Sequence, residues 1–546
     1  MSQMADFDIL IIGSGPSGAN AATEAVRSGF KVGLLEIGFT DTQYQHHIPQ
    51  ESFSNIRKTD SNQANYFLGS NPAAAFQSQA KAGDHLTPPR QHMIQDMESL
   101  FPTESKNFVP LQSTAHGGLG VSWGSNVFAF EDFELRKIGL PIEEIRQFYS
   151  LASAEIGISG PKKDDLSGLI AGLGNHAQLQ PPLEIDTNAK SIFTRYVKNR
   201  SRFLSREFFL GQAVLAVLSK NLKNRESNPY WDMDFWSDHR KSVYRPKYTL
   251  EELRDSPNFS HLPGKQALRF ASPKINEPVQ VFYRDIYSKS HGTLTCKKLI
   301  LAAGAINSGK LALSSINNHG IKIPILCNPN HWVAAIHWPM LGKPAQDPRY
   351  SLAQLTALMR IPEDPEDYVL GQFYSYRSLL YSRLLSNIPL PPKLGLLFLR
   401  LMITSFTCVN LHFSDRPSPL RWLSIKKERD QDILTANYER TEAEEKNLRR
   451  NERRFVRNLL ALGCIPMGIN RPAHGASIHY AGTLPYSKED RPLTCSIGGK
   501  LRGFHHVYVG DGASWRFLPA KGLTYTLIAN ARRIAAEAVK DLRNPS

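Results

Sequence analysis

The pattern of apolar and polar positions is clearest near the start of the chain. Ile9–Ile12 is a continuous apolar run with the length and β-branched content of a buried parallel strand. Ala-rich residues follow as far as Arg27, and a second apolar run, Val32 to Leu35, ends in an acid, Glu36. This order predicts strand, helix, strand. Residues 41–110 are polar, rich in Gln, Asn, Ser and Pro, and predict long loops with short helices. Leu140-Pro141-Ile142-Glu143-Glu144 opens a helix running to about Ile156, with proline near the first turn and acids beside the N-terminus.

Further on, Lys297–Ala305 reads as a buried strand running into small residues, with a helix from Ile306. Val409–Phe413 has strand character, and Lys426–Tyr438 predicts more sheet with polar loops. Glu442–Arg457 places acids early and bases late, the charge order of a solvated helix. Val507–Val509 is a short strand ending in Gly510-Asp511-Gly512, and Leu523–Leu542 has the apolar spacing of a final helix.

Two stretches leave alternatives open. Tyr230, Trp231, Trp236, Tyr244 and Tyr248 cluster among charged residues, either as an aromatic lid or as packing aromatics. Leu379–Leu411 is rich in Leu, Ile and Phe and carries Arg383, Lys393 and Arg400. Its central piece, Leu394–Thr407, is shorter than a membrane span and is interrupted by Arg400. It is a monotopic membrane contact, a wall for an apolar substrate, or a buried domain segment.

The first candidate chemistry lies between the first two strands, where Gly13-Ser14-Gly15-Pro16-Ser17-Gly18 spells G-x-G-x-x-G. Gly13 permits a tight turn, Gly15 lets the backbone approach a pyrophosphate, and Gly18 lets helix and strand pack closely. The pyrophosphate sits at the helix N-terminus, where unpaired N–H groups and the dipole favour an anion. Glu36 falls at the distance of a ribose-binding acid. An acid there argues against a 2′-phosphate, and so against NADP. A second Gly-rich loop, His116-Gly117-Gly118-Leu119-Gly120-Val121-Ser122-Trp123-Gly124-Ser125-Asn126, offers close backbone approach and a flat apolar wall from Trp123.

At 546 residues the chain has material for a large core and two intertwined domains. The cysteines Cys296, Cys327, Cys408, Cys464 and Cys495 are dispersed, without C-x-x-C or metal-like spacing. That predicts reduced thiols, no metal site and a cytoplasmic setting. The run-in to the first strand lacks the charged and apolar regions of a signal peptide. The balance of 65 basic against 50 acidic residues gives a formal charge of +15, which suits an anionic partner or a solvated basic surface. No nucleic-acid-binding module is recognisable, so nucleic acid is not an expected partner.

These motifs together resemble the glucose–methanol–choline (GMC) oxidoreductases, most closely the bacterial branch related to pyranose and gluconate dehydrogenases. The resemblance rests on residues 7–36, 113–160, 297–312 and 477–540 and is weak across the substrate domain. It implies an α/β fold, α+β overall, with a Rossmann-like FAD-binding domain and a second, antiparallel-sheet substrate domain roofing the flavin. The implied divisions are FAD domain 1–165, a mixed lid and substrate part 166–265, FAD domain 266–318, substrate domain 319–460 and FAD domain 461–546. Implied cofactor contacts are Gly13, Gly15, Pro16, Ser17, Gly18, Glu36, Gly117, Gly118, Trp123, Gly124, Asn126, Ala303, Gly304, Asp511, Gly512, Leu523 and Thr524. Relatives that attach FAD covalently use a His just before the Trp; Ser122 stands there, so FAD is expected to be noncovalent.

Ser477-Ile478-His479-Tyr480-Ala481-Gly482-Thr483 matches the family's H-x-x-G-T, which makes His479 the implied catalytic base facing the flavin. The implied reaction oxidises a CH–OH group of a sugar or polyol-like alcohol by hydride transfer to flavin N5, with the electron acceptor left open. The chain departs from the family where a second His or Asn usually precedes the last helix, because Gly522 stands there. Lys521 or a water is a candidate substitute, and His474 a candidate helper. Asn307 and His116 are neighbours of the cofactor without an assigned role. Two alternatives stay open: an FAD enzyme acting on an apolar or lipid-linked alcohol at a membrane surface through residues 379–411, and a flavin-binding protein with altered or lost alcohol oxidation. An NAD-only enzyme is disfavoured by the late Gly510-Asp511-Gly512 strand end.

Overall fold

In the computed structural model, the residues described are 5–67, 69, 88–167, 178–231, 239–272, 274, 276–316, 320–343, 352–375, 389–428 and 431–544. Trp236, Arg383 and residues 379–388 of the apolar stretch lie outside them. The fold is α/β with a Rossmann-like sheet joined to a separate antiparallel sheet.

The first sheet runs in the order Phe259–Leu262, Val32–Leu35, Phe7–Ile12, His291–Leu301, Val279–Asp285, Lys265–Ala271, with Val507–Val509 also pairing His291–Leu301. Ile9–Ile12 of the Phe7–Ile12 strand is an unbroken apolar run because both its faces are covered. Ile9 and Ile11 meet Ala19, Ala22 and Ala25 of the Pro16–Arg27 helix and Ile534 and Ala535 of the C-terminal helix. Leu10 and Ile12 face the other way, into the cluster holding Phe128, Ile145 and Tyr149. Each buried isoleucine contributes about 1.5–3 kcal/mol. The Pro16–Arg27 and Thr524–Arg543 helices pack together, pinned by buried Arg532, which donates to Asn20 Oδ1 at 2.8 and 3.0 Å.

His291–Leu301 changes partners along its length. Its first half pairs antiparallel with Val279–Asp285. Its last residues run parallel between Ile9–Ile12 and Val507–Val509. Three parallel strands therefore end side by side, at Ile12, Leu301 and Val509, and each runs directly into glycine or small residues. The crevice at the carboxyl ends of such strands is where a doubly wound sheet binds its ligand.

The antiparallel sheet has the order Cys464–Asn470, Asn330–His337, Phe406–Phe413, Asp364–Ser375, Leu355–Ile361, Phe208–Gln212. Alternation sets its two faces. Val333, Val369, Phe373, Val409 and Leu411 pack on Phe455 and Leu459 of the Glu442–Ala461 helix and on Ile192 and Tyr196 of the Thr187–Lys198 helix. The intervening residues Trp332, Gln372, Tyr374, Cys408, Asn410 and His412 face a cavity shared with the first sheet. Tyr244 and Tyr248 are buried and Tyr230 half-buried, so these three serve as packing aromatics.

Candidate active site

One cavity of about 1390 Å³ lies between the strand ends of the first sheet and the inner face of the second. Its volume exceeds the usual 300–1,000 Å³ of a small-ligand pocket, as a dinucleotide with a substrate beside it requires. On the lower side, Gly13 has φ +105°, and a Cβ there would strike the Ala302 carbonyl. A Cβ on Gly18 would overlap the carbonyl of Gly13, so this glycine serves helix–strand packing and does not line the cavity. At Gly15 a Cβ would meet no protein atom within 4 Å, because the backbone there faces the cavity. The second glycine loop packs directly on the first: a Cβ on Gly118 would lie 3.2 Å from Gly15 Cα. Gly117 is behind the wall, its N–H donating to Ser14 Oγ at 2.9 Å.

The helices starting at Pro16, Ala305 and Thr524 all present their first residues to this space, and their free N–H groups favour an anionic ligand or developing negative charge. Pro16, Ser17, Trp123, Gly124, Asn126, Ala303, Gly304, Asp511, Gly512, Leu523 and Thr524 are brought together along the same wall. Trp123 is fixed by its indole N–H, which donates to the Tyr244 carbonyl at 2.8 Å. Ser122 donates to Met93 Sδ at 2.8 Å.

Two predicted cofactor residues have further protein partners. Glu36 is buried at the end of its strand, and His116 Nδ1 and His261 Nε2 each lie 2.6 Å from its Oε1, with Ser14 donating to Oε2. Burial acts to raise the Glu36 pKa, but the bonds from His116, His261 and Ser14 outweigh it and hold the carboxyl below its usual range. The ligand atoms of this trio lie within 4.8 Å of one another, close enough to hold a metal ion. His261 carries no motif and was invisible in the sequence. Asp511 accepts from Gly304 N–H at 2.8 Å, Ser308 Oγ at 2.6 Å and Ala513 N–H at 2.9 Å. It therefore clamps two strand ends together. Burial raises its pKa to about 6 against those three bonds.

His479 stands on the opposite side, and its position follows from a short ladder. Leu326–Cys327 pairs antiparallel with Tyr480–Ala481, which sets Asn328 beside His479. The Nδ2 of Asn328 donates to the Phe413 and Pro519 carbonyls at 2.7 and 2.9 Å. Its Oδ1 therefore points at His479 Nδ1, 3.1 Å away. That oxygen can only accept, so the imidazole carries its proton on Nδ1 and leaves Nε2 with a free lone pair. Ile478, just before, sits at φ +63°, a conformation that β-branched residues rarely adopt and that costs on the order of 1–3 kcal/mol. Protein surrounds the ring except at its cavity edge, and burial lowers its pKa to about 4. The histidine is neutral at pH 7.

The ring of His412 stacks on His479, with centroids 5.2 Å apart. Burial, then the neighbouring His479 and His331, place its pKa well below the usual value. Beyond it a row of residues crosses four strands: Asn470, Trp332, Asn410 and Gln372 are neighbours in register. None of these was singled out from sequence. The alternation of Cys408, Asn410 and His412 with Val409 and Leu411 was the available signal, but polar residues on a strand usually face water.

Gly522 lines the cavity, and a Cβ added there would lie 3.2 Å from the Phe128 ring. Lys521 does not substitute for a second catalytic side chain there. It is fully buried and turned away, with Nζ 2.6 Å from Glu134 and 3.4 Å from Glu131. His474 packs on Tyr438, ring centroids 5.0 Å apart, and is absent from the cavity wall, as is His116. Asn307 lines it.

Asn126 Oδ1, Asn307 Oδ1, Asn410 Oδ1 and His412 Nδ1 belong to residues lining the cavity and are buried without a hydrogen-bond partner among the described residues. Buried polar atoms are normally bonded, so these fit a polar ligand. With the open approach at Gly15 and the helix N-termini, the residues present suit a pyrophosphate-bearing dinucleotide.

The architecture is that of a Rossmann-like α/β protein with an antiparallel roof. Among solved structures the chain is similar to pyridoxine 4-oxidase from Mesorbium loti, with TM-score 0.59 and 14% identity over 97% of this chain and 98% of that one. It is likewise similar to formate oxidase, with TM-score 0.61 and 11% identity over 98% of both chains. At these identities the likeness is one of fold. No family model matches the sequence, and no curated protein does.

Proposed function

We propose that this chain is an FAD-dependent oxidoreductase of the glucose–methanol–choline type that oxidises a CH–OH group, with a sugar or polyol-like alcohol as substrate. The observation that carries the reading is His479 on the cavity wall, its Nδ1 held by Asn328 so that Nε2 keeps a free lone pair. The likeness in fold to pyridoxine 4-oxidase and formate oxidase supports it.

The glycine loop with the N-terminus of the Pro16–Arg27 helix would hold the pyrophosphate, and the Glu36 cluster the adenosine ribose. The second loop and the Thr524 helix N-terminus would hold the ring system. With Ser122 preceding Trp123, the cofactor is held noncovalently. When bound, FAD supplies the acceptor for the hydride that leaves the alcohol carbon.

The chain supplies the rest. His479 accepts the hydroxyl proton at Nε2, and Nδ1–H stays on Asn328, which stabilises the imidazolium that forms. General-base help of this kind is typically worth about 10²–10⁴-fold. Gly522 offers no side chain to orient the hydroxyl. His412, stacked beside the base on the roof, takes that part, and Asn410, Gln372 and Asn470 offer hydrogen bonds to further hydroxyls. The walls keep bulk water from the reacting carbon.

The test is anaerobic mixing of the yellow purified protein with sugars, polyols and long-chain alcohols while following the visible flavin band. Bleaching by sugars or polyols is the expected outcome. A colourless protein, or a yellow one that no alcohol bleaches, overturns the reading.

A further inference from the structure

We infer that the Pro392–Met402 helix docks this protein on an anionic lipid surface, an interaction that goes beyond the proposed chemistry and does not depend on it. Among the described residues no helix is long and apolar enough to cross a membrane, so the contact is peripheral.

The helix has three distinct faces. Gly395, Leu399 and Met402, at i, i+4 and i+7, are buried against the body of the protein. Leu394, Leu397, Phe398 and Leu401, at i, i+3, i+4 and i+7, form a second face and are 54, 54, 42 and 52% exposed. Trp338 and Leu341 extend this apolar surface at the helix end, each 53% exposed, joined through Gly342 N–H, which donates to the Leu401 carbonyl at 3.0 Å. A contiguous apolar surface of large side chains marks an interaction site.

The third face names the partner. Lys393 and Arg400, one helical heptad apart, flank the leucines, and Lys343 lies beyond Leu341, all exposed. This face also carries Leu396, 46% exposed between the two bases, and none of the three cations has an acidic partner among the described residues. No Asp or Glu occurs in the sequence between Asp367 and Asp415. An apolar face bordered by bases is the arrangement of a helix lying in the headgroup region, with leucines and phenylalanine among acyl chains and cations on the phosphates. The long basic side chains reach the headgroups while their stems stay on apolar surface. A second copy of the chain fits poorly, because a two-fold contact would set like charges against one another. The helix also leads through Ile403–Ser405 into Phe406–Phe413, the strand carrying Cys408, Asn410 and His412 on the cavity roof.

The experiment is co-sedimentation of the purified holoprotein with phosphatidylcholine vesicles, with and without phosphatidylglycerol. The expected result is binding that needs phosphatidylglycerol and weakens with salt. L397S/F398S/L401S should abolish it, with the melting temperature and flavin spectrum unchanged. K393E/R400E should weaken it at least twenty- to thirty-fold, at about fivefold for each lost cation. Three results overturn the proposal: no binding by the unmodified protein, binding unaffected by these substitutions, or a dimer that the same serine variant dissociates.

Discussion

The two walls of the cavity are built on different principles. The lower wall works through backbone: glycines at strand ends, helix N-termini and N–H groups, with side chains mostly kept out of the way. Gly15 is the clearest case, because it contributes a bare approach and nothing else. The upper wall works through side chains on strands and turns, namely His479, His412, Asn410, Gln372 and Trp332, each aimed by register and hydrogen bonds. A backbone site recognises what many ligands share, such as a pyrophosphate. A side-chain site can be changed residue by residue without disturbing its neighbour, so in the proposed reading the lower wall would hold the cofactor and the upper wall would select the substrate.

The largest stability effect should come from the seam between the walls. Lys521, fully buried on Glu134, joins the segment before the last helix to the helix that begins at Asp132. Burial raises the Glu134 pKa and Lys521 opposes that rise. Lys521→Met should lower unfolding free energy by about 3–5 kcal/mol, because it leaves a buried carboxylate without its cation. Chemical denaturation measures this, and adding Glu134→Gln should recover much of the loss. A change below about 1 kcal/mol would show that the pair is dispensable.

Gly15→Val separates the lower wall from the fold. Its Cβ meets no protein atom within 4 Å, so the unfolding midpoint should hold while flavin affinity falls by about 3 kcal/mol, roughly a hundredfold, as the pyrophosphate is pushed from its N–H donors. Fluorescence titration with FAD reads the affinity. Undiminished binding would move the pyrophosphate elsewhere.

The upper wall should show itself in pH. With the His479 pKa lowered to about 4 by burial, the base is already free at neutral pH. The acid limb of kcat/KM therefore falls near pH 4 and not near 6.5. Stability should follow a related course. His337, His474 and His479 are each lowered to about 4, chiefly by burial. The unfolded chain takes up these protons near 6.5 and the folded chain does not, so stability is lost as pH falls from about 6.5 toward 4. Asp511, raised to about 6 by burial, acts in the opposite sense as a single group. Midpoints that rise on acidification would contradict this.

The same contrast explains what was legible in the sequence. Strand, turn and helix at residues 7–36 were readable because glycine spacing records backbone geometry directly. The helices at 142–156, 442–461 and 524–543 announced themselves by capping, charge order or periodicity, whereas the one at 305–316 was expected only as the successor of its strand. His479 was found through its motif, but Asn328, which sets its tautomer, is 151 residues away and carries no local mark. His261 reaches Glu36 from a strand 225 residues away. The roof residues were hidden for another reason, since a polar residue on a strand signals solvent unless one knows that a cavity lies beneath it. Of the two candidate substitutes for a second side chain, Lys521 drops out because adjacency to Gly522 in sequence says nothing of direction, and the buried Glu134 draws it away.

The most direct measurement is the rate of anaerobic flavin bleaching in His479→Ala against the unmodified protein, both loaded with flavin. The division into a cofactor wall and a chemistry wall predicts equal flavin content and a rate about 10²–10⁴-fold slower in the variant. Equal rates would remove His479 from the chemistry, and loss of the flavin itself would mean that the two walls are not separable.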